Sequence, residues 1–466
     1  MTTPDPARHG IPPRAVLDLL DDLERPGLEP HALAITRRGE PVLEATWAPY
    51  RADLPGLVYS VSKTFTAAAV GHLVAEGRLA VDDLAGKILG LPDPTGITVR
   101  HLLSMNTGHS AEQVAGLGFD SGELLGTVPA HAPGTHFVYN SQASMALSSV
   151  VTTLTGQRLT EYLRPRMLEP LGIDDPWWVP HRDGELGIEQ GFSGLHLTIG
   201  QLTRLAVALA DGGRYRGAQV VPAAWVAEMR RAWSDNADSP GATHDWAQGY
   251  GYQVWRSRHG FRADGAYGQF GLALPEHGLA IGYLGATRAT HEVLDAFWRF
   301  ADRVADAPLD ADPEAAARLA ARLAALDTWP RRLDDDPAPT PSDVVSPVPW
   351  VLHERAGAWR VDVGGHLLDV GEDAWRTHVV DRPHLAPAGE PYGAGSVVDP
   401  VLVLALRARR VGDVVEVDAV VPTSPHRLVA RGTPGGSLDL AWTTTPLWHP
   451  GLSTLVVPGA LAAPAR

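Results

Sequence analysis

The sequence of 466 residues contains no cysteine. This absence excludes disulfide bonds, catalysis by a thiolate and zinc sites with cysteine ligands. The 19 histidines show no metal-ligand spacing such as His-Glu-x-x-His, so we expect neither a metal nor a cofactor. No run of about 18 apolar residues occurs, and we therefore expect no membrane span. The first ten residues lack the apolar core of a signal peptide, which makes the cytoplasm the expected compartment.

Basic residues are in short supply as well. Lysine and arginine together number 39, against 54 aspartates and glutamates, and the formal net charge is −15. A basic face for nucleic acid would need strong local clustering, so we expect no nucleic-acid partner. Hydrophobic residues make up 44% and charged residues 20%, as in ordinary globular proteins, and the length allows two or three domains. This composition leaves homo-oligomerisation open.

Lysine is the scarcest charged residue, since only Lys63 and Lys87 occur. Lys63 follows Ser60 by three residues, and residues at this spacing share one face of a helix. Unlike an arginine, a desolvated lysine can lose its proton near neutral pH. The two residues therefore predict a serine nucleophile with a lysine base. The alternative is a capped helix that carries one surface lysine.

The hydrophobic patterns predict an α+β domain over residues 1–305. Apolar and polar residues alternate from 31 to 47, which predicts a β-hairpin. Helical patterns cover residues 13–24, 64–76, 79–84, 97–105, 141–154, 197–211, 221–231 and 291–304. Strand patterns return at 251–256 and from 270 to 284. Because the helices lie between an early hairpin and late strands, we expect an antiparallel sheet assembled from both ends of this domain.

The composition changes after residue 305. An alanine-rich helical pattern at 313–326 and an acidic, proline-rich stretch at 334–341 predict a linker over residues 306–349. From residue 350 to 466, short β-type runs alternate with turn residues. This pattern predicts a smaller all-β domain, either a barrel or a sandwich, that covers a cleft, mediates assembly or binds a partner.

Two further segments could carry chemistry. Tyr139 stands at the start of the helix predicted at 141–154, where a phenol could reach a cleft and relay a proton. A structural tyrosine is the alternative. Glycines at 265, 268 and 271 surround a strand start, where a backbone N–H could form half of an oxyanion hole. Here the alternative is a glycine-rich β-turn.

In order and spacing, these segments resemble the motifs of the serine β-lactamase and penicillin-binding-protein superfamily. The similarity is greatest to the branch with class C β-lactamases, D-stereospecific aminopeptidases and β-lactamase-fold carboxylesterases. It covers about residues 10–305 and extends through Gly77-Arg78-Leu79-Ala80-Val81-Asp82-Asp83, Ile97-Thr98-Val99-Arg100-His101-Leu102-Leu103-Ser104-Met105-Asn106-Thr107-Gly108 and Gly194-Leu195-His196-Leu197-Thr198. The resemblance implies a β-lactamase-like domain in which an antiparallel sheet is flanked by a helical subdomain.

The resemblance also implies roles for individual residues. Ser60 would be acylated, Lys63 would help to deprotonate it, and Tyr139 would carry a proton to the leaving group. The backbone N–H groups of Ser60 and Ala266 would form the oxyanion hole. No metal or cofactor takes part in this chemistry.

Two motifs depart from the family pattern. The second is usually Tyr-x-Asn, but here Asn140 and Ser141 follow Tyr139, so the amide is replaced by a hydroxyl or displaced by one position. The third is usually Lys-Thr-Gly or His-x-Gly, whereas Ala263-Asp264-Gly265 carries no cation. A carboxylate at 264 would repel a substrate carboxylate by roughly 4 kcal/mol at about 4 Å and an effective dielectric near 20. We therefore expect weak or no β-lactamase activity, unless Arg262 points inward and compensates.

Three functions stay open from the sequence. The first is a serine hydrolase that cleaves a small ester or amide. The second is a peptidase or amidase for D-amino-acid substrates, whose amine Asp264 could favour. The third is a catalytically silent scaffold. Aromatic residues that could line an acyl pocket are Trp177, Trp178, Trp246, Trp255 and Tyr267, of which Trp246 is the best candidate because it lies near the third motif.

Overall fold

The computed structural model describes residues 5–92, 94–181, 187–239, 243–328, 345–346, 348–355, 357–381 and 399–462. The proline-rich stretch predicted at 334–341 lies outside these residues. The helices are α1 (Pro13–Leu23), α2 (Ser62–Ala75), α3 (Ala85–Leu89), α4 (Val99–Leu103), α5 (Ala111–Gly116), α6 (Ser121–Gly126), α7 (Ser141–Thr155), α8 (Leu159–Leu163), α9 (Ile199–Ala210), α10 (Ala223–Met229), α11 (Thr290–Ala301), α12 (Pro313–Leu323) and α13 (Gly459–Ala462). With the exception of 79–84, the predicted helices are confirmed to within about one turn at each end.

The central sheet combines strands from both ends of the first domain, as predicted. Its strands are β1 (Pro30–Arg37), β2 (Glu40–Thr46), β8 (Trp255–Arg256), β9 (Phe261–Gly265), β10 (Gln269–Leu274) and β11 (Leu279–Gly285). They lie in the order β2-β1-β11-β10-β9-β8, and every neighbouring pair is antiparallel. Smaller sheets are formed by β3 (Gly56–Leu57), β4 (Trp177–Trp178) and β5 (Leu195–Leu197), and by β6 (Arg214–Tyr215) and β7 (Ala218–Gln219).

Helices cover both faces of the central sheet, because side chains alternate between the two faces of each strand. On one face, Ala32 of β1 and Ala263 of β9 pack into a core with α2, α7 and α9. On the other face, Ile35 and Ile281 pack with α1, α11 and α12. The helix predicted within the linker is thus α12, and its Leu319 lies in the core of the first domain.

Two predicted elements differ from the structure. Residues 79–84 form a non-helical turn instead of the predicted short helix. The Asp83 carboxylate accepts a hydrogen bond from the backbone N–H of Ala80. The strand predicted at 251–256 is reduced to Trp255 and Arg256. Gln253 adopts a φ of 58°, a left-handed conformation that a β-strand cannot contain.

The C-terminal region is all-β, as predicted. A three-stranded sheet contains β12 (Trp350–Arg355), β13 (Ala358–Val363) and β14 (His366–Val370). The larger sheet contains β15 (Arg376–Asp381), β16 (Pro400–Val411), β17 (Val414–Val420), β18 (Arg427–Gly432), β19 (Asp439–Trp442) and β20 (Val457–Pro458). Both sheets contribute to one apolar core, and bridges from Val351 to Ser437 and from Gly371 to Arg407 join them at two edges. These connections favour a barrel-like closure over two separate layers. Within the described residues, none of the helices has the length and apolar character that crossing a membrane requires.

Candidate active site

Ser60 lies in a single 3-10 turn, Tyr59–Val61, that leads directly into α2. Tyr59 has a φ of 47°, which is an uncommon left-handed conformation for a bulky residue. The hydroxyl of Ser62 donates to the carbonyl oxygen of Tyr59 at 2.7 Å and also accepts the N–H of Leu195. The turn is therefore fixed on the inner side of the fold, and Ser60 is presented at the start of α2.

Lys63 is almost completely buried beside Ser60, with 1% of its surface exposed. Its Nζ donates to Ser60 Oγ at 3.0 Å, to Ser141 Oγ at 3.2 Å and to the carbonyl oxygen of Phe192 at 2.9 Å. Burial lowers the pKa of Lys63 to about 7, although the carboxylate of Asp264 acts in the opposite direction. A substantial fraction of this amine is therefore neutral at physiological pH and can accept the proton of Ser60.

Tyr139 lies on the other side of the nucleophile. Its phenol lies next to the hydroxyl of Ser60, and its ring centroid lies 4.9 Å from Lys63 Nζ. Burial raises the pKa of Tyr139 above its ordinary value, more than the neighbouring hydroxyl of Ser60 lowers it. The phenol is therefore protonated at neutral pH, which suits a proton donor or relay rather than a phenolate base.

In the second motif, Asn140 has a structural role and Ser141 contacts the candidate site. The side chain of Asn140 caps α7 by accepting the N–H of Ala143 at 2.6 Å and donates to Thr107 Oγ1 at 3.1 Å. Asn140 is also buried, so its amide serves the fold. Ser141 contacts Lys63 instead, which favours replacement of the family amide by a hydroxyl over its displacement by one position.

The third motif contains an internal ion pair at the position where the family pattern given above usually has a cation. Arg262 Nε donates to Asp264 Oδ2 at 2.8 Å, because residues two apart on β9 point to the same face. Arg262 is completely buried, and its guanidinium also contacts the carbonyl oxygen of Arg256 and Ser257 Oγ. Burial raises the pKa of Asp264, while the charge of Arg262 lowers it. Arg262 thus compensates the charge of Asp264, as considered from the sequence, but it does so through an ion pair within the protein.

The end of β9 lies against the nucleophile turn. A β-carbon at residue 265 would overlap the carbonyl oxygen of Val58, so only glycine permits this approach. Ala266 follows directly, and Tyr267 after it has a φ of 67°. The backbone just before Ala266 is thus in close contact with the backbone just before Ser60, through Gly265 and Val58.

Aromatic rings surround the site. Trp255 stacks on Tyr139 with ring centroids 5.4 Å apart, and Tyr250 meets both rings edge-on. Trp246, the pocket residue selected from the sequence, lies farther out, where the guanidinium of Arg262 covers its ring at 4.5 Å. Trp255, which is also among the aromatic candidates from the sequence, is therefore nearer to the chemistry than Trp246.

The C-terminal domain also reaches the site. Trp448 packs edge-on against Phe192, whose carbonyl oxygen accepts from Lys63, and against Phe119. His426 lies within hydrogen-bonding distance of Tyr59, at 2.6 Å. Sequence reasoning missed these residues, because nothing in the spacing links positions more than 250 residues apart. Among the residues that the structure describes, no cluster of three or more histidine, aspartate or glutamate side chains could hold a metal ion.

Comparison with known proteins finds relatives of the chain. Penicillin-binding protein 4 from Amycolatopsis lactamdurans is 26% identical over 305 residues, which cover 56% of this chain and 76% of that protein. The 6-aminohexanoate-dimer hydrolase from Paenarthrobacter ureafaciens is 26% identical over 258 residues, covering 48% of this chain and 63% of that protein. A solved structure of a candidate 6-aminohexanoate-dimer hydrolase from Bacillus anthracis has a TM-score of 0.50 at 22% identity, covering 64% of this chain and 85% of its own.

The family model described as Beta-lactamase matches residues 14–306. This span includes the whole central sheet as well as Ser60, Lys63 and Tyr139. The match exceeds half of the chain and coincides with the domain that carries the site, so the chain belongs to the Beta-lactamase family.

Proposed function

We propose that this protein is a serine hydrolase that cleaves small esters or amides through an acyl-enzyme on Ser60. The observation that carries the proposal is the contact of 3.0 Å between Lys63 Nζ and Ser60 Oγ, in surroundings that lower the pKa of the lysine to about 7. A serine hydroxyl next to a partly neutral amine is an activated nucleophile. A silent scaffold would have no need to bury a lysine at this position.

The reaction follows from the positions of the groups. Ser60 Oγ attacks the carbonyl carbon of the substrate, and its proton passes to Lys63. The backbone N–H groups of Ser60 and Ala266 stabilise the negative oxygen of the tetrahedral intermediate. Tyr139 donates a proton to the departing alcohol or amine and receives the proton that Lys63 took from Ser60, and the carbonyl forms again as the acyl-enzyme. Water then attacks this ester and gives a proton to Lys63, and this proton is returned to Ser60 as the acid leaves.

The charges around the site support a substrate without a carboxylate. Arg262 is buried and engaged with Asp264, so it neutralises that carboxylate but faces away from a ligand. The repulsion expected from the sequence is thereby reduced, yet no attraction for an anion replaces it. The same pairing also weakens Asp264 as an anchor for a substrate amine. We therefore propose weak or absent turnover of β-lactams, whose carboxylate needs a cation.

Covalent labelling tests the proposal. Incubation with a fluorophosphonate should give a single adduct by intact-protein mass spectrometry, which Ser60→Ala abolishes and the control Ser121→Ala retains. A short p-nitrophenyl ester should be turned over and a chromogenic cephalosporin should not. The acylation rate should rise through about pH 7 as Lys63 loses its proton. Absence of both adduct and ester turnover would favour the silent scaffold, and good cephalosporin turnover would contradict the substrate assignment.

A further inference from the structure

Two tyrosines flank the proposed oxyanion hole. Tyr59 immediately precedes Ser60, and Tyr267 immediately follows Ala266. Both adopt left-handed backbone conformations, with φ of 47° and 67°. Such conformations are unfavourable for bulky side chains and persist only where the surrounding structure holds them. The backbone on each side of the hole is therefore strained, and its support must come from contacts of these two residues.

The carbonyl oxygen of Tyr59 is held by Ser62 within the first domain, and its side chain is held by His426 in the C-terminal domain. The phenol oxygen of Tyr59 lies 2.6 Å from His426 Nε2, and His426 Nδ1 lies 2.7 Å from the carbonyl oxygen of Thr444. A carbonyl can only accept, so Nδ1 carries the proton and Nε2 is the acceptor for the phenol of Tyr59. Burial lowers the pKa of His426 to about 3, so this tautomer persists at physiological pH.

The side chain of Tyr267 is held by Thr445, which directly follows Thr444 in the C-terminal domain. Its phenol donates to the carbonyl oxygen of Thr445 at 2.6 Å. The rings of both tyrosines also meet His426 edge-on, with centroids 5.9 Å and 5.2 Å away, and they meet each other at 5.7 Å. Both phenols therefore bind to one small region of the C-terminal domain. This region consists of His426 and of Thr444 and Thr445, which follow β19.

We propose that this region of the C-terminal domain positions the oxyanion hole. Through the two phenols it holds the strained backbone on either side of the hole, so that the N–H groups of Ser60 and Ala266 point to the same oxygen. His426 and Thr445 are positioning residues and do not touch the substrate. The inference rests on the proposed function of Ser60 and assigns a role in the reaction to the C-terminal domain.

A positioning role has a kinetic effect that a contact with only a structural role would not have. An oxyanion hole acts on the charge of the transition state, so loss of its geometry lowers kcat with little change in KM. Removal of a hole donor costs about 10²–10³-fold in kcat. Tyr59→Phe and Tyr267→Phe each keep the ring and only relax the backbone, so we expect about a tenfold loss for each variant and a larger loss for the double variant.

The experiment measures p-nitrophenyl ester kinetics and affinity for a boronic acid in the full-length chain. The boronate forms a tetrahedral adduct with the serine that carries a negative oxygen. Rates are normalised to the fraction of protein that a fluorophosphonate labels at Ser60, which removes any effect of misfolded molecules. The matched control is Trp375→Phe, which removes another single hydrogen bond of this domain, from Trp375 Nε1 to Asp327 Oδ1 at 2.9 Å.

We expect the boronate to bind less tightly in proportion to the fall in kcat, while KM and the control variant stay within about twofold of the wild type. Wild-type kcat and boronate affinity in both phenylalanine variants would overturn the inference. So would a fall in activity that disappears after normalisation to labelled protein, because that result indicates a structural role only. Absence of a Ser60 adduct in the wild type would overturn the proposed function, and this inference with it.

Discussion

Lys63 is a cationic side chain in a place that disfavours its charge. Its three contacts are to two hydroxyls and a carbonyl, and the anion that raises its pKa, Asp264, is already paired with Arg262. Burial therefore dominates and brings the pKa of the amine to about 7, from 10.5 for a free lysine. The property that makes the amine a base is also a cost to folding, because the unfolded chain holds this proton more tightly.

Lys63→Met should therefore stabilise the protein while abolishing ester turnover. Between about pH 7 and 10.5 the unfolded state binds a proton that the folded state does not, so wild-type stability rises with pH across this window. Below pH 7 the full cost of burial remains. We expect the variant to be about 2–5 kcal/mol more stable at pH 6, with the difference vanishing near pH 10.5.

Chemical denaturation at pH 6, 8 and 10 measures this difference. The control is Lys87→Met, since Lys87 is the other lysine and is exposed on α3. It should be close to neutral at every pH. A variant at residue 63 that is less stable than the wild type at pH 6 would show that the hydrogen bonds of Lys63 outweigh the cost of its burial.

At the scale of elements, the contact between β9 and the nucleophile turn determines the shape of the site. The fit depends on the missing side chain of Gly265, which lets the strand approach the carbonyl oxygen of Val58. An added methyl group must push β9 away from the turn or rotate the Val58 peptide. Either movement separates the two backbone N–H groups that would bind the oxyanion.

We expect Gly265→Ala to reduce ester kcat by at least about 100-fold, the range for a lost oxyanion donor. The methyl group would also approach Gln269 Cβ on β10 at 2.9 Å, but β9 keeps its pairing with β10 from Phe261 to Asp264. We therefore expect only a small fall in the melting temperature beside the large loss of activity. Steady-state kinetics and thermal unfolding on the same preparation check this. Gly126→Ala is the control, because nothing lies within 4 Å of a β-carbon at that position. Near wild-type kcat in Gly265→Ala would mean that the strand end is free to adjust.

Local signals in the sequence were sufficient for most elements. Residue alternation predicted the hairpin of β1 and β2, and the spacing of apolar residues predicted α2 and α7. The turn at Tyr59–Val61 was not predicted, because no local signal marks the left-handed Tyr59, whose phenol contacts the distant His426. A left-handed residue also explains why β8 is shorter than predicted. Gln253, with a φ of 58°, interrupts a sequence pattern that predicts one continuous strand.

The candidate site was predictable where its chemistry is local. Ser60 and Lys63 share a helix face, so their contact follows from spacing alone. Pairing of Arg262 with Asp264 follows from strand alternation, but its direction into the protein depends on burial that no short window of sequence determines. His426 and Trp448 come from another domain, and only the folded arrangement brings them to the nucleophile.

At the scale of the whole molecule, a buried ion pair joins the two domains. Arg427 of β18 is 3% exposed and contacts Glu29, just before β1, at 3.1 Å and Asp418 of β17 at 3.4 Å. The charge of Arg427 and a hydrogen bond from His31 lower the pKa of Glu29 to about 2, despite its burial. Glu29 therefore contributes stability that is present above about pH 4.5 and is lost as the pH falls toward 2.

Arg427→Met should destabilise the protein by about 3–5 kcal/mol at pH 7, because it removes the cation beside the buried carboxylate of Asp418 and the partly buried carboxylate of Glu29. The loss should shrink as the pH is lowered from 4.5 toward 2, where Glu29 becomes protonated even beside Arg427. Denaturant titrations across this range measure both effects. The control is Arg360→Met, which breaks an exposed pair with Asp369 in the same domain and should cost about 1 kcal/mol or less. Equal effects of the two variants would show that the interdomain pair is dispensable.

The order of strands in the central sheet has a consequence for synthesis. β1 emerges early, yet its partner β11 is made only after more than half of the chain has followed. Pairing between such distant segments is slow, and an unpaired strand edge is meanwhile open to contact with other chains. The residues that hold Tyr59 and Tyr267 emerge later still. A growing chain therefore carries Ser60 and Tyr59 long before the segment that contacts Tyr59 has been made.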